Sequence, residues 1–439
     1  SATEPPMPMN LFKLLIWSCL TLLVTGAHAG PKIERWQTSS GARVLFVENH
    51  ALPILDVQID FAAGAVNEPT GKSGVAGLTR GLLDLGVPGM DETQIASRLA
   101  DLGARLSGGV ETDRASVALR TLSMPDKRAP ALDLLRAILG APRFPQGAFD
   151  REKARTVAAL KESLTRPDTI ASKAFWEAIY PAHPYGRQAS PESVAALERA
   201  DVVAFHAANY TAQRASVVIV GDLTRAQAET VAEDLTGELP AGTPVADIVA
   251  AALPAGGEQR IPHPAAQAHL VMGLPALRRG DADFFPLLVG NYTLGGGGFV
   301  SRLMKEVRDK RGLAYSVSSY FLPLAYVGPF QIGMQTKKAQ ANDALKLTRE
   351  VLSVFLEQGP SDAELLAAKQ NLIGSFPLRL DSNRKIVDNV ALIGFYKLPL
   401  DYLDNYQANI EKVTVADIKT AFARHVRPEN LVTVVVAGE

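Results

Sequence analysis

Apolar positions along this chain follow two periods, and the switches between them outline its elements. Arg43–Glu48, Leu55–Ala62, Ser116–Thr121 and Val217–Val220 are short runs rich in β-branched residues, which predicts strands. Between the strands lie stretches with helical spacing, such as Ala131–Leu139 and Ala344–Leu352. Each is followed by a second helical stretch, near Asp150–Leu164 and Ser361–Phe376. Short strands interleaved with long helices predict α+β units, each a mostly antiparallel sheet with one face covered by helices.

The pattern occurs twice. Phe205–Asp222 aligns without gaps on Phe422–Glu439, and both read as a helix end, a turn and a buried strand closed by Gly and an acid. The helical stretches Ala131–Leu139 and Ala344–Leu352 repeat at nearly the same offset. The expected organisation is therefore two homologous units, residues 30–236 and 260–439. A linker rich in Pro, Gly and Ala, residues 237–259, would join them.

The chain has 439 residues, 47% of them hydrophobic and 21% charged, which is globular composition and excludes disorder or a fibre. A net charge of −1 argues against a nucleic-acid partner held by bulk electrostatics. The basic start Met9–Lys13, the apolar run Leu14–Val24 and Ala27-His28-Ala29 before Gly30 have the form of a signal peptide, so residues 1–29 are expected to be removed. An uncleaved N-terminal anchor is the alternative; Ser1–Pro8 has no reading of its own. No later segment is long and apolar enough to span a bilayer, so no membrane contact is expected after cleavage. Cys19 is the only cysteine, leaving the mature chain without disulfides, thiolate chemistry or a Cys-bound metal. An exported, cysteine-free protein of this size points to the periplasm of a Gram-negative bacterium.

Beyond the strand Leu55–Ala62 and the loop Ala63–Ser73, Val75, Leu78, Leu82 and Leu85 fall at helical spacing, with Gly86 placed to stop the helix. The segment Gly74-Val75-Ala76-Gly77-Leu78-Thr79-Arg80-Gly81-Leu82-Leu83 resembles the zinc helix of the pitrilysin family of metallopeptidases, which includes the mitochondrial processing peptidase and insulin-degrading enzyme. The resemblance implies that the family's His-x-x-Glu-His, two zinc ligands and a general base, falls here on Gly77, Arg80 and Gly81. The family's third ligand, a later Glu, falls on Ala158 or Ala159, while the nearby Glu162 lies on another part of the turn. No metal and no cofactor is therefore expected in this chain. Gly77 and Gly81 share one helical face at a cost of up to ~1 kcal/mol each relative to Ala. They read either as decay at a site no longer selected, or as a bare face that lets another element pack close beside a fixed charge on Arg80.

Phe299–Gly312 reads as an amphipathic helix with Leu303 and Val307 inward, Lys310 and Arg311 at its C-terminus and Gly312 as its stop. Leu313–Tyr320 reads as a strand. On composition, Arg308 is a solvated helix charge and Tyr315 an aromatic at the edge of a core. The segment also resembles the Arg-x-x-x-Gly-Leu-x-Tyr motif of the pitrilysin family. That resemblance implies that Arg308 and Tyr315 bind a substrate carbonyl and the oxyanion formed from it. Upstream, Gly295, Gly296, Gly297 and Gly298 form an expected flexible loop, not a P-loop, since no Gly-Lys-Ser/Thr follows. Resemblance to the non-catalytic subunit of the mitochondrial processing peptidase implies that such a loop contacts substrate; a need for positive φ angles is the other reading. His183–Arg187 resembles a structural turn of the family. His50, His206, His263, His269 and His425 have no metal-ligand spacing, and no Ser sits in a nucleophile elbow.

In the small-subunit branch of that family, two such chains close face to face like a clam shell, one bringing zinc and the other the Arg/Tyr pair. The resemblance thus implies a zinc-free subunit of a periplasmic heterodimeric metalloendopeptidase, inactive alone. Its partner would be a homologous His-x-x-Glu-His chain holding the zinc, and its substrates peptides bound as an added strand. The rival readings are an inert structural paralogue, like the core proteins of the respiratory cytochrome bc complex, and a peptide-binding homodimer.

Overall fold

The computed structural model describes residues 30–438, so the signal-peptide reading of residues 1–29 lies outside the described residues. The strands are β1 Glu34–Gln37, β2 Arg43–Glu48, β3 Ile54–Phe61, β4 Gly86–Val87, β5 Met90–Asp91, β6 Arg105–Ser107, β7 Ala115–Leu122 and β8 Ala215–Gly221, followed by β9 Gly257–Pro262, β10 Gln267–Leu277, β11 Ser316–Phe321, β12 Gly328–Lys337 and β13 Val432–Ala437. They form a sheet in the order β1-β2-β8-β3-β7-β6, a second in the order β11-β12-β10-β13-β9, and the small hairpin β4–β5. Within the two large sheets every pairing is antiparallel except β2 with β8 and β9 with β13. The repeated segments occupy matching places. The helices Arg199–Asn209 and Val415–His425 lead into β8 and β13. Side-chain caps start many of the helices, as where Asp91 accepts from Gln94 N and Thr414 from Asp417 N.

Strand composition explains the layering. In the first sheet Val44, Phe46, Val217 and Ile219 pack into one core, while their neighbours Leu45, Val47, Val218 and Val220 point the other way into a different core. Both faces are buried, which is why these strands are almost continuously apolar instead of alternating. The expected coverage of one face is therefore exceeded, and the second layer comes from the opposite unit. The helix Asn383–Tyr396 lies across β2, β3 and β8 of the first sheet, and Pro167–Ile179 lies across β10 and β13 of the second.

Glycines let these exchanged helices sit close. A Cβ at Gly394 would lie 2.6 Å from Leu45 Cδ1, and one at Gly273 of β10 would lie 2.9 Å from Phe175 Cζ. Where the units meet, Asp113 is almost fully buried. It accepts from Tyr185 Oη at 2.6 Å, Tyr396 Oη at 2.9 Å and Ala325 N at 2.8 Å. The last two donors belong to the second unit.

Local boundaries depart from expectation in places. The helix at Val75 ends at Leu82, and Gly86 belongs to β4 instead of stopping the helix. The strand β9 starts at Gly257, inside the stretch read as linker, because its backbone pairs with β13 from Val432 onward. Phe175 is fully buried, so Phe175→Ala should cost about 3–5 kcal/mol. In urea denaturation both units should still unfold in one transition, since each contributes a helix to the other's core.

Candidate functional site

The helix Val75–Leu82 begins at Gly74, whose φ of 99° is left-handed, and a Cβ there would fall 2.6 Å from Val194 Cγ2. Glycine is required on both counts. The first helical N–H groups are satisfied by Glu68, whose Oε1 accepts from Gly74 N and Ala76 N, each at 3.0 Å. Burial pushes the Glu68 carboxyl up to about 7, against the opposing pull of those N–H groups and of Arg187.

Gly77, Arg80 and Gly81 do sit together on this helix, and none offers a metal donor. A Cβ at Gly77 or Gly81 would meet nothing within 4 Å. The expectation that another element packs against a bare glycine face is thus overturned: that face opens onto space. Arg80, by contrast, is buried. Its Nε donates to Ser116 O at 2.7 Å and its Nη2 to Ser107 O at 2.8 Å, tying the helix to β7 and to the edge strand β6. Its remaining nitrogen, Nη1, lies 3.9 Å from Asp84, four residues further along, so its charge is met by two carbonyls and a carboxylate. Ala158 and Ala159 offer no donor either, and Glu162 is exposed. Zinc does not fit these residues. Among the described residues the one cluster of three metal-type side chains is Asp281, Asp283 and His425 in the second unit, where Asp283 is also paired with Arg424 at 2.5 Å.

The second motif is brought together. The predicted helix over Phe299–Gly312 is instead a short 3-10 turn, Gly298–Val300, followed by a π-helix, Met304–Asp309. Gly312, with φ of 62°, ends the turn, and the chain enters β11. Arg308 Nε then donates to the backbone carbonyl of Tyr315 at 3.2 Å and Nη1 to Asp309 at 3.0 Å. The guanidinium lies 5.2 Å from the centre of the Phe299 ring. Tyr315 is 49% exposed and Phe299 69% exposed, so the pair faces outward. The preceding turn is anchored by Arg302, which donates to both oxygens of Glu364 at 2.9 and 2.6 Å; that pairing pulls the Glu364 carboxyl down to about 2.

The four glycines are not a flexible loop. Tyr292–Gly296 is a π-helix, Gly295 is buried, and a Cβ on it would lie 2.6 Å from Ser319 N in β11. Gly296 and Gly297 are similarly hemmed in by Asn291 and Tyr292, whereas Gly298 has the positive φ, 62°, that favours glycine. Asn291 Nδ2 donates to Ser319 O at 2.9 Å, so this segment covers part of the β11 edge. Glu68, Asp113, Arg302 and Glu364 carry no motif. Their importance comes from partners distant in sequence, except the Ser361-x-x-Glu364 capping box, which is readable.

Comparison with known proteins fits this geometry. The pattern of the Peptidase M16 inactive domain family matches residues 196–372. A crystal structure of a peptidase M16 inactive domain from Pseudomonas fluorescens is 37% identical, with TM-score 0.89 over 93% of this chain and 98% of that one. The chain belongs to the pitrilysin, or M16, family. It is also similar to the non-peptidase homolog YmxG of Helicobacter pylori, 25% identical over 402 residues, 90% of this chain and 92% of the relative. The periplasmic protease PqqL of Escherichia coli shares the fold, with TM-score 0.78 and 17% identity over 93% of this chain and 45% of that one. An inactive M16 member with no donors at the zinc positions is the consistent description.

Gly77→Ala and Gly81→Ala should each raise stability by up to ~1 kcal/mol, because the helix gains and nothing is hit; thermal melts check this. Arg80→Met leaves two carbonyls without a donor and should cost about 1–3 kcal/mol. Glu68 gives a pH signature. Its native carboxyl keeps a proton that the unfolded chain, with an ordinary value of 4.5, loses. Stability should therefore fall as pH rises from 4.5 to about 7, by on the order of 3 kcal/mol at about 1.4 kcal/mol per unit. In Glu68→Gln the same denaturation series should flatten.

Proposed function

We propose that this protein is the zinc-free subunit of a periplasmic heterodimeric metallopeptidase, lending Arg308 and Tyr315 to a partner's site. The observation that carries the reading is an asymmetry within one chain. The zinc-helix positions hold two glycines and a buried structural arginine. Arg308 donates to the backbone carbonyl of Tyr315, both side chains are partly exposed, and the preceding turn is held by Arg302–Glu364. A guanidinium keeps N–H groups to spare after bonding Tyr315 O and Asp309, and a phenol adds an O–H donor. Donors fixed in advance are suited to a substrate carbonyl and to the charge that develops on its oxygen. Chemistry at zinc belongs to the partner, a homologous His-x-x-Glu-His chain. Among the described residues no helix is long and apolar enough to cross a membrane. The fold neighbour PqqL is a periplasmic protease, which accords with the location read from residues 1–29.

The test is reconstitution. This chain and a His-x-x-Glu-His homologue are purified separately, then assayed alone and mixed for cleavage of an unfolded peptide with zinc. Cleavage should require this chain. Arg308→Ala and Tyr315→Phe should each lower kcat/KM of the mixture by about 10²-fold, the scale for losing one oxyanion donor, while the two chains still associate. Full activity in both variants would remove the pair from catalysis. Peptide binding by this chain as a homodimer, with no cleavage in any mixture, would instead support a peptide-binding role, to which the exposed Phe299, Val300, Tyr315 and Tyr320 also lend themselves.

A further inference from the structure

The open face of the zinc-type helix borders an open cleft of about 430 Å³, lined among others by Gly77, Glu68, Glu111, Arg187, Trp176 and Tyr185. That size suits a small ligand or one to two residues of a longer one. Glu68 is 6% exposed. Its Oε1 is used by the helix N-terminus, and its Oε2 makes no hydrogen bond among the described residues. Arg187, the nearest cation to it, spends its Nη1 on the Glu68 backbone carbonyl at 3.3 Å. Glu111 also lines the cleft, paired with Arg114 Nε at 3.1 Å but with a side chain 59% exposed. Glu111 thus has a cation partner in Arg114, Glu68 has Arg187 beside it but no bond from it to the carboxyl, and Trp176 forms part of the wall. The donor set is too small for a metal ion, since the one such cluster among the described residues lies in the second unit.

We propose that this cleft binds a primary ammonium group, with Glu68 as its counter-ion, Glu111 as a second carboxylate and the Trp176 ring as an apolar, cation-attracting wall. Arg187 bonds the Glu68 backbone and not its carboxyl, so an ammonium entering beside Oε2 would give the buried carboxylate a directly bonded cation without disturbing the two N–H bonds on Oε1. Gly77 is what makes room, because any side chain there would project into the open space. The ammonium can come from a peptide's amino terminus or from a lysine side chain. The charged and titratable groups lining the cleft are Glu68, Glu111, Arg187 and Tyr185. Burial and the neighbouring Asp113 keep the Tyr185 phenol protonated, so Glu68 is the group whose ionisation around neutrality governs binding. The site lies in the unit opposite Arg308 and Tyr315 and stands independently of their proposed role.

Three probes test it by calorimetric or NMR titration of the isolated protein: trialanine amide, N-acetyl-trialanine amide and N-acetyl-lysine methylamide. One or both of the ammonium-bearing probes should bind, identifying the source, and the acetylated trialanine amide should not. Affinity should increase from pH 6 to pH 7.5 as Glu68 ionises. Glu68→Gln, whose amide oxygen can still accept from Gly74 N and Ala76 N, should weaken binding at least tenfold. Gly77→Leu should block it while keeping the helix. Equal binding of the acetylated probe, undiminished binding in Gly77→Leu, or no binding by either ammonium probe at millimolar concentration would overturn the proposal.

Discussion

The exchange of a helix between the two units is the contact on which the rest of the molecule depends. Each large sheet has one face buried by its own helices and the other by a helix from the opposite unit. The seats are complementary: Phe175 sits over Gly273 in the second sheet, and Gly394 sits over Leu45 in the first. Neither unit could expose that second face to water without uncovering a large apolar surface. Asp113 locks the junction by accepting from donors in both units, and a buried carboxylate is tolerated there because its acceptor capacity is filled.

Against that frame, the two motif regions are built to different standards. The Arg308–Tyr315 segment is fastened by Arg302–Glu364, by the π-helix Met304–Asp309 and by the Arg308 guanidinium lying over the Phe299 ring. Irregular helical turns of this kind are costly unless the surrounding packing demands them. On the other helix, the glycines create space and Arg80 turns inward to satisfy carbonyls of β6 and β7. An arginine there stabilises the edge of the sheet. The result is a helix kept in place without the chemistry that the family places on it.

Much of the fold was legible because it rests on local periodicity. β2 was bounded to the residue by its apolar run, and β3, β7 and β8 to within two. The repeat of Phe205–Asp222 in the second unit located matching helices and strands. Where local rules failed, longer-range contacts had decided the outcome. Gly86 was drawn into the β4–β5 hairpin, and β9 was recruited from a stretch with linker composition by pairing with β13. The run Gly295–Gly298 looked flexible, yet Ser319, Asn291 and Tyr292 press against its first three glycines, and Gly298 takes a positive φ.

By itself, the sequence determined the two-unit α+β plan, the absence of any metal donor at Gly77, Arg80 and Gly81, and the spacing of Arg308, Gly312 and Tyr315 along the chain. Each of these is set by residue identity and by spacings of a turn or two. Only the tertiary structure decided which way Arg80 points, what lies beside the glycine face, and that Glu68 stands in the resulting cleft with one oxygen free. Those properties depend on backbone carbonyls and side chains tens of residues away. The exchanged helices Pro167–Ile179 and Asn383–Tyr396 belong to the same class: their amphipathic pattern announces an apolar face but not which sheet will bury it.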